Sequence, residues 1–374
     1  MRTGTEEKTA LRLTFHNIDA YVKDAFGPDA ELLDMGEIGV PGTQGIKEFG
    51  YGKPLRIEYR QAGTVHRAVL SIMRGDKYGH QFYWDRAAIL MFQHATSNRM
   101  PRHVRSLGLG YFDESDTPIA VKDPKEFFIV SEMVEGYDYY RDLERIRQCD
   151  FKPTDESLAR SFAGWLADIH SQKFEDPDLY LRRIRNLIGA SECIFGLVDS
   201  YPYPYDLFPP ERFAALEKRI VEWRWKLRDY THRLSAVHGD FHPWNVLVQD
   251  TPAGPDFNVL DRSRGEWGEP ADDVATMSIN YLLFGLFDTA CLGQYFDRLY
   301  AAFWEEYLEQ TNDEEILEVI APFFVFRGLV IASPQWYPRH PPAVRQGLFH
   351  FLENVLEDER FDYKNINKYL EVSP

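Results

Sequence analysis

The pattern of apolar and polar positions changes character along this chain. Over residues 9–26 it predicts a helix that ends at Gly27-Pro28, a pair that stops helices. The next hundred residues carry short β-like runs instead: 31-ELLDMGEIG-39, 46-IKEFGYG-52, 55-LRIEYR-60 and 65-VHRAVLSIM-73. Gly39, Pro41, Gly42, Gly45, Gly50, Gly52 and Gly63 punctuate them, as turns require. A helical segment at 82-FYWDRAAILMFQHA-95 interrupts the series, and 107-LGLGYF-112 and 127-FFIVSEM-133 read as two further strands. From about residue 155 the period becomes helical. In 155-DESLARSFAGWLADIHS-171, Leu158, Phe162, Trp165, Leu166 and Ile169 form one stripe. A helical and aromatic stretch follows over roughly 179–236. A hairpin is then predicted from 246-VLVQD-250, the turn 251-TPAGPD-256 and 257-FNVLD-261. Helices fill the rest, and no internal repeat is present. The order is a β-rich part and then a helical part broken by one hairpin.

Length and composition sharpen this picture. A chain of 374 residues exceeds one typical core, so two lobes are expected. Hydrophobic residues at 44% and charged residues at 27% are globular values. The net charge of −17 repels nucleic acid and anionic membranes, so neither is expected as a partner. A phosphate-bearing ligand would need a local basic group or a metal ion against that background. Cys149, Cys193 and Cys291 lie far apart without a CxxC pair, which argues against a disulfide framework and a cysteine zinc site. The N-terminal residues lack an apolar signal core. The runs 279-INYLLFGLF-287 and 319-VIAPFFVFRGLVIA-332 are too short to span a bilayer or are broken by Arg327. A soluble, cytoplasmic protein is the expectation.

The chemistry concentrates in 238-HGDFHPWNVLV-248. Asp240 and Asn245 share this loop, and Asp261 ends the second strand of the predicted hairpin. A carboxylate base, an amide oxygen and a second carboxylate would thus converge at one hairpin end. Hard oxygen ligands that leave positions to water and phosphate suit Mg²⁺. A carboxylate outside the metal shell can orient an attacking hydroxyl, and phosphoryl transfer needs those parts. The plainer reading of Asp240 and Asn245 is an Asx-turn that serves its own backbone. His238 and His242 are four apart, but Gly239 and Pro243 disfavour the helix that would align them on zinc.

The spacing H-x-D-x-x-x-x-N resembles a kinase catalytic loop. The fuller form, 238-HGDFHPWN-245 with Asp261 and 268-GEPADDVA-275, resembles the aminoglycoside phosphotransferase and choline kinase branch of the protein-kinase-like fold. The resemblance implies an α+β fold of two lobes. These would be an N-terminal helix over 1–28, a β-rich N-lobe over 29–130, a hinge over 131–136 and a helical C-lobe over 137–374. It implies ATP and Mg as cofactors and a small-molecule hydroxyl as acceptor, of aminoglycoside, choline or amino-sugar type. Asp240 would be the base, and Asn245 and Asp261 the metal ligands. His238 and Asp273 would be structural supports, near a helix start that Pro270 favours. Ser131, Glu132 and Met133 would pair with adenine, and Gly42, Thr43 and Gly45 would cover the phosphates.

The sequence departs from that pattern in the first half. Ser71 stands where a strand-three Lys is usual, and Asp85 where its partner Glu is usual. Arg67, on the face of Ser71, and Lys77 are the candidates to replace the Lys, while Arg74 falls on the other face. After Asp261 come Arg262-Ser263 in place of an aromatic residue. Two rivals follow from these departures: a nucleotide-binding module without catalysis, and a metal-dependent phosphohydrolase using the same carboxylates. Elsewhere, His170 reads as a core or helix-end histidine. The run 201-YPYPYDLFPP-210 reads as a stiff loop packed on the helices, or as a wall of the acceptor pocket. The run 313-DEEILE-318 reads as a solvated helix face.

Overall fold

The computed structural model describes residues 11, 13–37, 54–77, 79–122, 124–293 and 295–372. It is an α+β structure that divides into two compact units, Met1–Ser131 and Glu132–Pro374. In the first unit, α1 (Phe15–Phe26) precedes β1 (Glu31–Glu37), β2 (Leu55–Gln61) and β3 (Thr64–Leu70). α2 (Tyr83–Ser97), β4 (Leu109–Phe112) and β5 (Pro118–Val121) complete it. Helix α1 starts later than its pattern predicts because the Thr14 hydroxyl caps it, accepting from the Asn17 amide at 3.2 Å. The strands form an antiparallel sheet in the order β1-β2-β3. Its core comprises Ile18, Val22, Ala30, Leu32, Ile57 and Tyr59, all buried. Ala68 and Leu70 of β3 pack against that core, whereas Val65, Arg67 and Val69 point away from it.

Two sequence expectations are corrected in this unit. The run 127–133 forms no strand. Phe128, Ile129 and Val130 are exposed and no strand among the described residues pairs with them, so apolar content alone did not make a ladder. Strand β3 ends at Leu70, which leaves Ser71 beyond it rather than inside it. The predicted strand over 46–52, together with Gly42, Thr43 and Gly45, lies outside the described residues.

The second unit carries β6 (Tyr137–Asp138), α3 (Tyr140–Arg147), α4 (Pro153–His170), α5 (Pro177–Gly189), α6 (Ile194–Asp199) and α7 (Pro210–Lys226). A 3₁₀ turn (Leu227–Arg233) leads to β7 (Ser235–Ala236), β8 (Val246–Thr251), β9 (Gly254–Val259) and β10 (Trp267–Gly268). Helices α8 (Ala271–Leu286), α9 (Phe296–Thr311), α10 (Ile316–Val319), α11 (Ala321–Ala332) and α12 (Pro342–Val355) follow, then a 3₁₀ segment (Tyr363–Leu370). Helices α8 and α11 are apolar almost all round and are buried all round, as such helices must be. They form the axis on which the loop of interest rests. The β8–β9 turn is tighter than its sequence suggests. Thr251 already pairs with Gly254, and its hydroxyl donates to the Gly254 carbonyl at 2.7 Å.

In the aromatic run after Ser200, Tyr201 and Phe208 pack inward while Tyr203 is exposed. Tyr201 is buried with its hydroxyl on the Leu329 carbonyl at 2.6 Å, and Phe208 stacks on Phe349 at 4.4 Å. The acidic run 313–318 is not merely a solvated face. Asp313 and Glu315 reach the buried Arg233 at 2.6 and 3.2 Å. No helix among the described residues is long and apolar enough to cross a membrane.

Candidate active site

The loop that follows β7 is suspended from one buried carboxylate. The backbone amides of His238 and Gly239 donate to the two oxygens of Asp273, each at 2.7 Å. Asp273 lies in the first turn of α8, where the helix dipole favours a negative charge. His170, at the end of α4, places Nε2 at 3.2 Å from Asp273 and Nδ1 at 2.9 Å from the Tyr307 hydroxyl. Burial pushes the Asp273 carboxyl up, but His170 and the donated amide outweigh it and hold it below the ordinary aspartate value.

Gly239 turns the chain at φ +86, and a Cβ there would lie 3.2 Å from the Arg264 Cβ. Only glycine meets both conditions without strain. Gly239→Ala is therefore expected to cost roughly 1–2 kcal/mol and to lower turnover with it. Urea unfolding and kcat measured on the same preparation check this. Unchanged values for both would show that the left-handed bend is not required.

The loop then satisfies much of its own backbone. His238 Nδ1 accepts from the Asp240 amide at 3.2 Å, and His242 Nδ1 accepts from the Trp244 amide at 3.2 Å. Asn245 Nδ2 donates to the Asp240 carbonyl at 3.0 Å. To this extent the plainer reading of the loop describes it. The Asp240 carboxylate is the exception, because it accepts no backbone amide among the described residues. It faces Arg327 of α11 instead, whose Nη1 donates to Oδ1 at 2.5 Å. Oδ2 lies 3.8 Å from both His242 Nε2 and Arg264 Nε. Burial alone would raise the Asp240 carboxyl, but Arg327, His242 and Arg264 outweigh it and keep it below the ordinary aspartate value. The same burial lowers His242 below its ordinary value, although the Asp240 charge opposes it.

Arg327 is buried and serves three acceptors. Besides Asp240 it donates to the Gly239 carbonyl at 2.7 Å, and to Asp272 Oδ1 at 2.7 Å from Nη2 and 3.0 Å from Nε. Burial works against its charge, and Asp272 and Asp240 outweigh that penalty. For Asp272 the balance falls the other way: burial raises it and Arg327 offsets this only in part. Sequence reasoning missed this pair. A signal was available, since an arginine inside 319-VIAPFFVFRGLVIA-332 must find a buried partner.

Asn245 immediately precedes β8, and Asp261 follows the end of β9 by two residues. The Leu260 amide donates to the Asn245 carbonyl at 2.8 Å, extending the strand register to the loop. Asp261 is exposed, has φ +56, and its carboxylate has no ion pair among the described residues. Such a backbone is sparsely populated by non-glycine residues and clusters at functional positions. Arg262 holds it there by donating to the Val237 carbonyl at 3.1 and 2.9 Å and to the Glu266 carbonyl at 3.1 Å. The unusual Arg262 thus anchors the chain beside Asp261. The free amide oxygen of Asn245 and the Asp261 carboxylate are hard donors of the kind Mg²⁺ takes, and so few protein ligands leave room for water and phosphate.

The remaining candidates belong to the first unit or to its boundary with the second. Ser131, Glu132 and Met133 are exposed and outside any strand, at the boundary between the two units. Ser71 is exposed just past β3. Arg67 does not point to an unshared charge site, because Glu58, its cross-strand neighbour on β2, binds it at 2.8 Å. Arg74 and Lys77 are exposed. Asp85 anchors the start of α2, where its carboxylate accepts from the Phe82 amide at 2.9 Å.

Comparison with known proteins adds three findings. A family model described as "Phosphotransferase enzyme family" matches residues 113–310, just over half of the chain. The span contains the 238–245 loop, the β8–β9 hairpin and Asp273. Among solved structures the chain is similar to Plasmodium vivax ethanolamine kinase, at 14% identity and a TM-score of 0.35, covering 91% of this chain and 80% of that one. It is similar to a glucosamine kinase in complex with glucosamine, ADP and inorganic phosphate, at 16% identity and a TM-score of 0.34, covering 64% of this chain and 59% of that one. It is similar also to a choline kinase from Cryptosporidium parvum, at 13% identity and a TM-score of 0.31, covering 95% and 91% respectively. No curated protein matches the sequence.

Proposed function

We propose a reaction from one premise: the chain belongs to the phosphotransferase enzyme family. The reaction is transfer of the γ-phosphoryl group of ATP to a hydroxyl of a small-molecule acceptor. The two-lobed protein-kinase-like arrangement, with a hinge at 131–136, is part of the same proposal. The observation that carries it is the state of Asp240. Its carboxylate is withheld from the local backbone network and kept ionised by Arg327. A residue that only closed a turn would not be built this way.

In the reaction, Asp240 accepts the proton of the acceptor hydroxyl as that oxygen attacks the γ-phosphorus. The bond from the γ-phosphorus to the β–γ bridging oxygen breaks, and ADP leaves. Asn245 and Asp261 are the residues that would hold Mg²⁺, which neutralises phosphate charge when bound. Rings flank the loop. Tyr140 stacks on Trp244 at 5.4 Å, Trp244 meets Tyr337 at 6.0 Å, and Tyr337 stacks on His340 at 4.6 Å. Burial, and then the Asp240 charge, push the Tyr337 phenol up to about 12, so it stays a neutral hydroxyl. An anion beside an aromatic wall suits a neutral or cationic acceptor better than an anionic one.

The metal assignment carries its own prediction. Asp261→Ala weakens Mg²⁺-dependent ATP binding more than Asn245→Ala does, because a carboxylate offers full charge and an amide only a dipole. Titrating Mg²⁺ against a fluorescent ATP analogue measures both. Equal effects would place the metal elsewhere.

A second reading, a nucleotide-binding module without catalysis, draws on Ser71 in the usual place of a lysine. One experiment separates the two. ADP release is followed over a panel of amino- and hydroxyl-bearing metabolites, each with and without acceptor. Acceptor-dependent release supports transfer. Release that is absent throughout supports the binding module, and release indifferent to acceptor supports a phosphohydrolase.

A further inference from the structure

We propose that Arg327 is a positioning residue for Asp240, holding Oδ1 so that Oδ2 alone is presented to the acceptor hydroxyl; this rests on the phosphotransfer reading. The two oxygens of Asp240 are not equivalent in the structure. Oδ1 lies 2.5 Å from Arg327 Nη1, a short charge-assisted hydrogen bond. Among the described residues Oδ2 has no partner within hydrogen-bond distance, and the nearest basic nitrogens, His242 Nε2 and Arg264 Nε, stand at 3.8 Å. A hydroxyl that approaches Asp240 therefore finds one oxygen engaged and one open.

The guanidinium is itself fixed from several directions, which a positioning group requires. Asp272 of α8 takes Nε and Nη2, and the Gly239 carbonyl takes Nη2 as well. The Phe326 ring lies under it at 4.4 Å and under Arg264 at 5.1 Å, so both cations that flank Asp240 sit on one ring. The backbone of Gly239 is thus pinned on both sides. Asp273 holds the Gly239 amide, and Arg327 holds the Gly239 carbonyl and the Asp240 carboxylate. Asp240, Asp272, Asp273, His242, Arg264, Cys193 and Tyr337 are titratable or charged groups gathered here, and among the described residues Arg327 alone bonds directly to both Asp240 and Asp272. A planar fork that bridges two carboxylates and a carbonyl is a task for arginine, and a lysine ammonium does not reproduce it.

Arg327→Lys is expected to lower kcat by about 100-fold, the scale of a reacting group displaced by roughly 1 Å. The KM for ATP should stay within about twofold of wild type, because Arg327 contacts the base and not the nucleotide. Asp272→Asn keeps the volume and leaves Arg327 on Asp240, and it serves where the buried lysine variant does not fold. It is expected to lower kcat about tenfold with the same unchanged KM. A purely structural role would reduce the folded fraction and leave kcat per folded molecule as in wild type, which would overturn the proposal.

A readout independent of activity completes the test. Aspartate labelled with ¹³C in its carboxyl, compared with Asp240→Asn, isolates the infrared bands of Asp240. The antisymmetric and symmetric stretches should be widely split in wild type and in Asp272→Asn, where one oxygen is engaged, and closer together in Arg327→Ala. No change in the splitting overturns the assignment of Arg327. A changed splitting in an enzyme that transfers phosphate to no acceptor upholds the Oδ1 lock and overturns the phosphotransfer reading alone.

Discussion

Asp240→Asn lowers kcat by about 10²–10⁴-fold, the range that a positioned general base contributes. The affinity for ATP with Mg²⁺ stays close to wild type. The asymmetry follows from the site. The asparagine side chain keeps the shape of Asp240 and can still accept from Arg327, so the loop that carries Asn245 is not released. What it loses is the charge that takes the acceptor proton. Coupled ADP release gives kcat, and fluorescence titration gives the nucleotide Kd. A variant with near-normal kcat would remove Asp240 from the chemistry. A variant that loses nucleotide binding in step with turnover would make it a ligand-site residue.

The second large effect is on stability. Arg233→Met is expected to destabilise the protein by about 3–5 kcal/mol, the cost of leaving a buried partner charge uncompensated. Arg233 and Glu269 are both buried, with hydrogen bonds of 2.8, 3.0 and 3.1 Å between them. Arg233 also binds Asp313 at 2.6 and 2.8 Å, and Tyr180 donates to Glu269 at 2.9 Å. Because Glu269 stands two residues before α8 and accepts from the Ala271 amide at 3.3 Å, the loss reaches Asp272 and Asp273 as well. Turnover should fall with the urea midpoint. The double variant Arg233→Met/Glu269→Leu should recover much of the loss, since removing both charges removes the stranded one. If the double variant is no better than the single, the cost is one of packing and not of charge.

The same network gives a pH dependence. Burial raises the Asp313 carboxyl, but Arg233 outweighs it and holds it below the aspartate value of 3.8. A depressed carboxyl contributes stability that is present above its unfolded value and is lost as pH falls through the folded one. The wild-type urea midpoint should therefore drop below about pH 4 through this group. Arg233→Met should lack that part of the acid limb. An identical acid limb in the two proteins would show that Asp313 is not coupled to Arg233.

What the sequence made legible was local. The helical stripe on 155–171 and the existence of a hairpin after the 238–245 loop depend on backbone periods and short turns and are found, although the hairpin turns earlier than predicted and its second strand ends at Val259, two residues before Asp261. Pairings across long stretches of chain were not legible. Arg327 meets Asp240 across 87 residues, and Arg233 meets Asp313 across 80. The two arginines were visible as charges but their partners were not, because no local pattern encodes which carboxylate a distant helix presents. Arg262 looked like a defect in the motif, and its role appeared only once the Val237 and Glu266 carbonyls stood beside it. The run 127–133 misled for the opposite reason. Its composition suits a strand, but a strand needs a neighbour to pair with.

The central claim is that the γ-phosphoryl group ends on an acceptor hydroxyl. The direct measurement is ³¹P NMR of a reaction mixture holding ATP, Mg²⁺ and the acceptor found by the ADP-release panel. The expected result is a phosphate monoester resonance that grows as the ATP γ resonance falls, one for one, with little inorganic phosphate, and that is absent with Asp240→Asn. Loss of the γ resonance matched by inorganic phosphate alone, at the same rate with or without acceptor, would contradict the account.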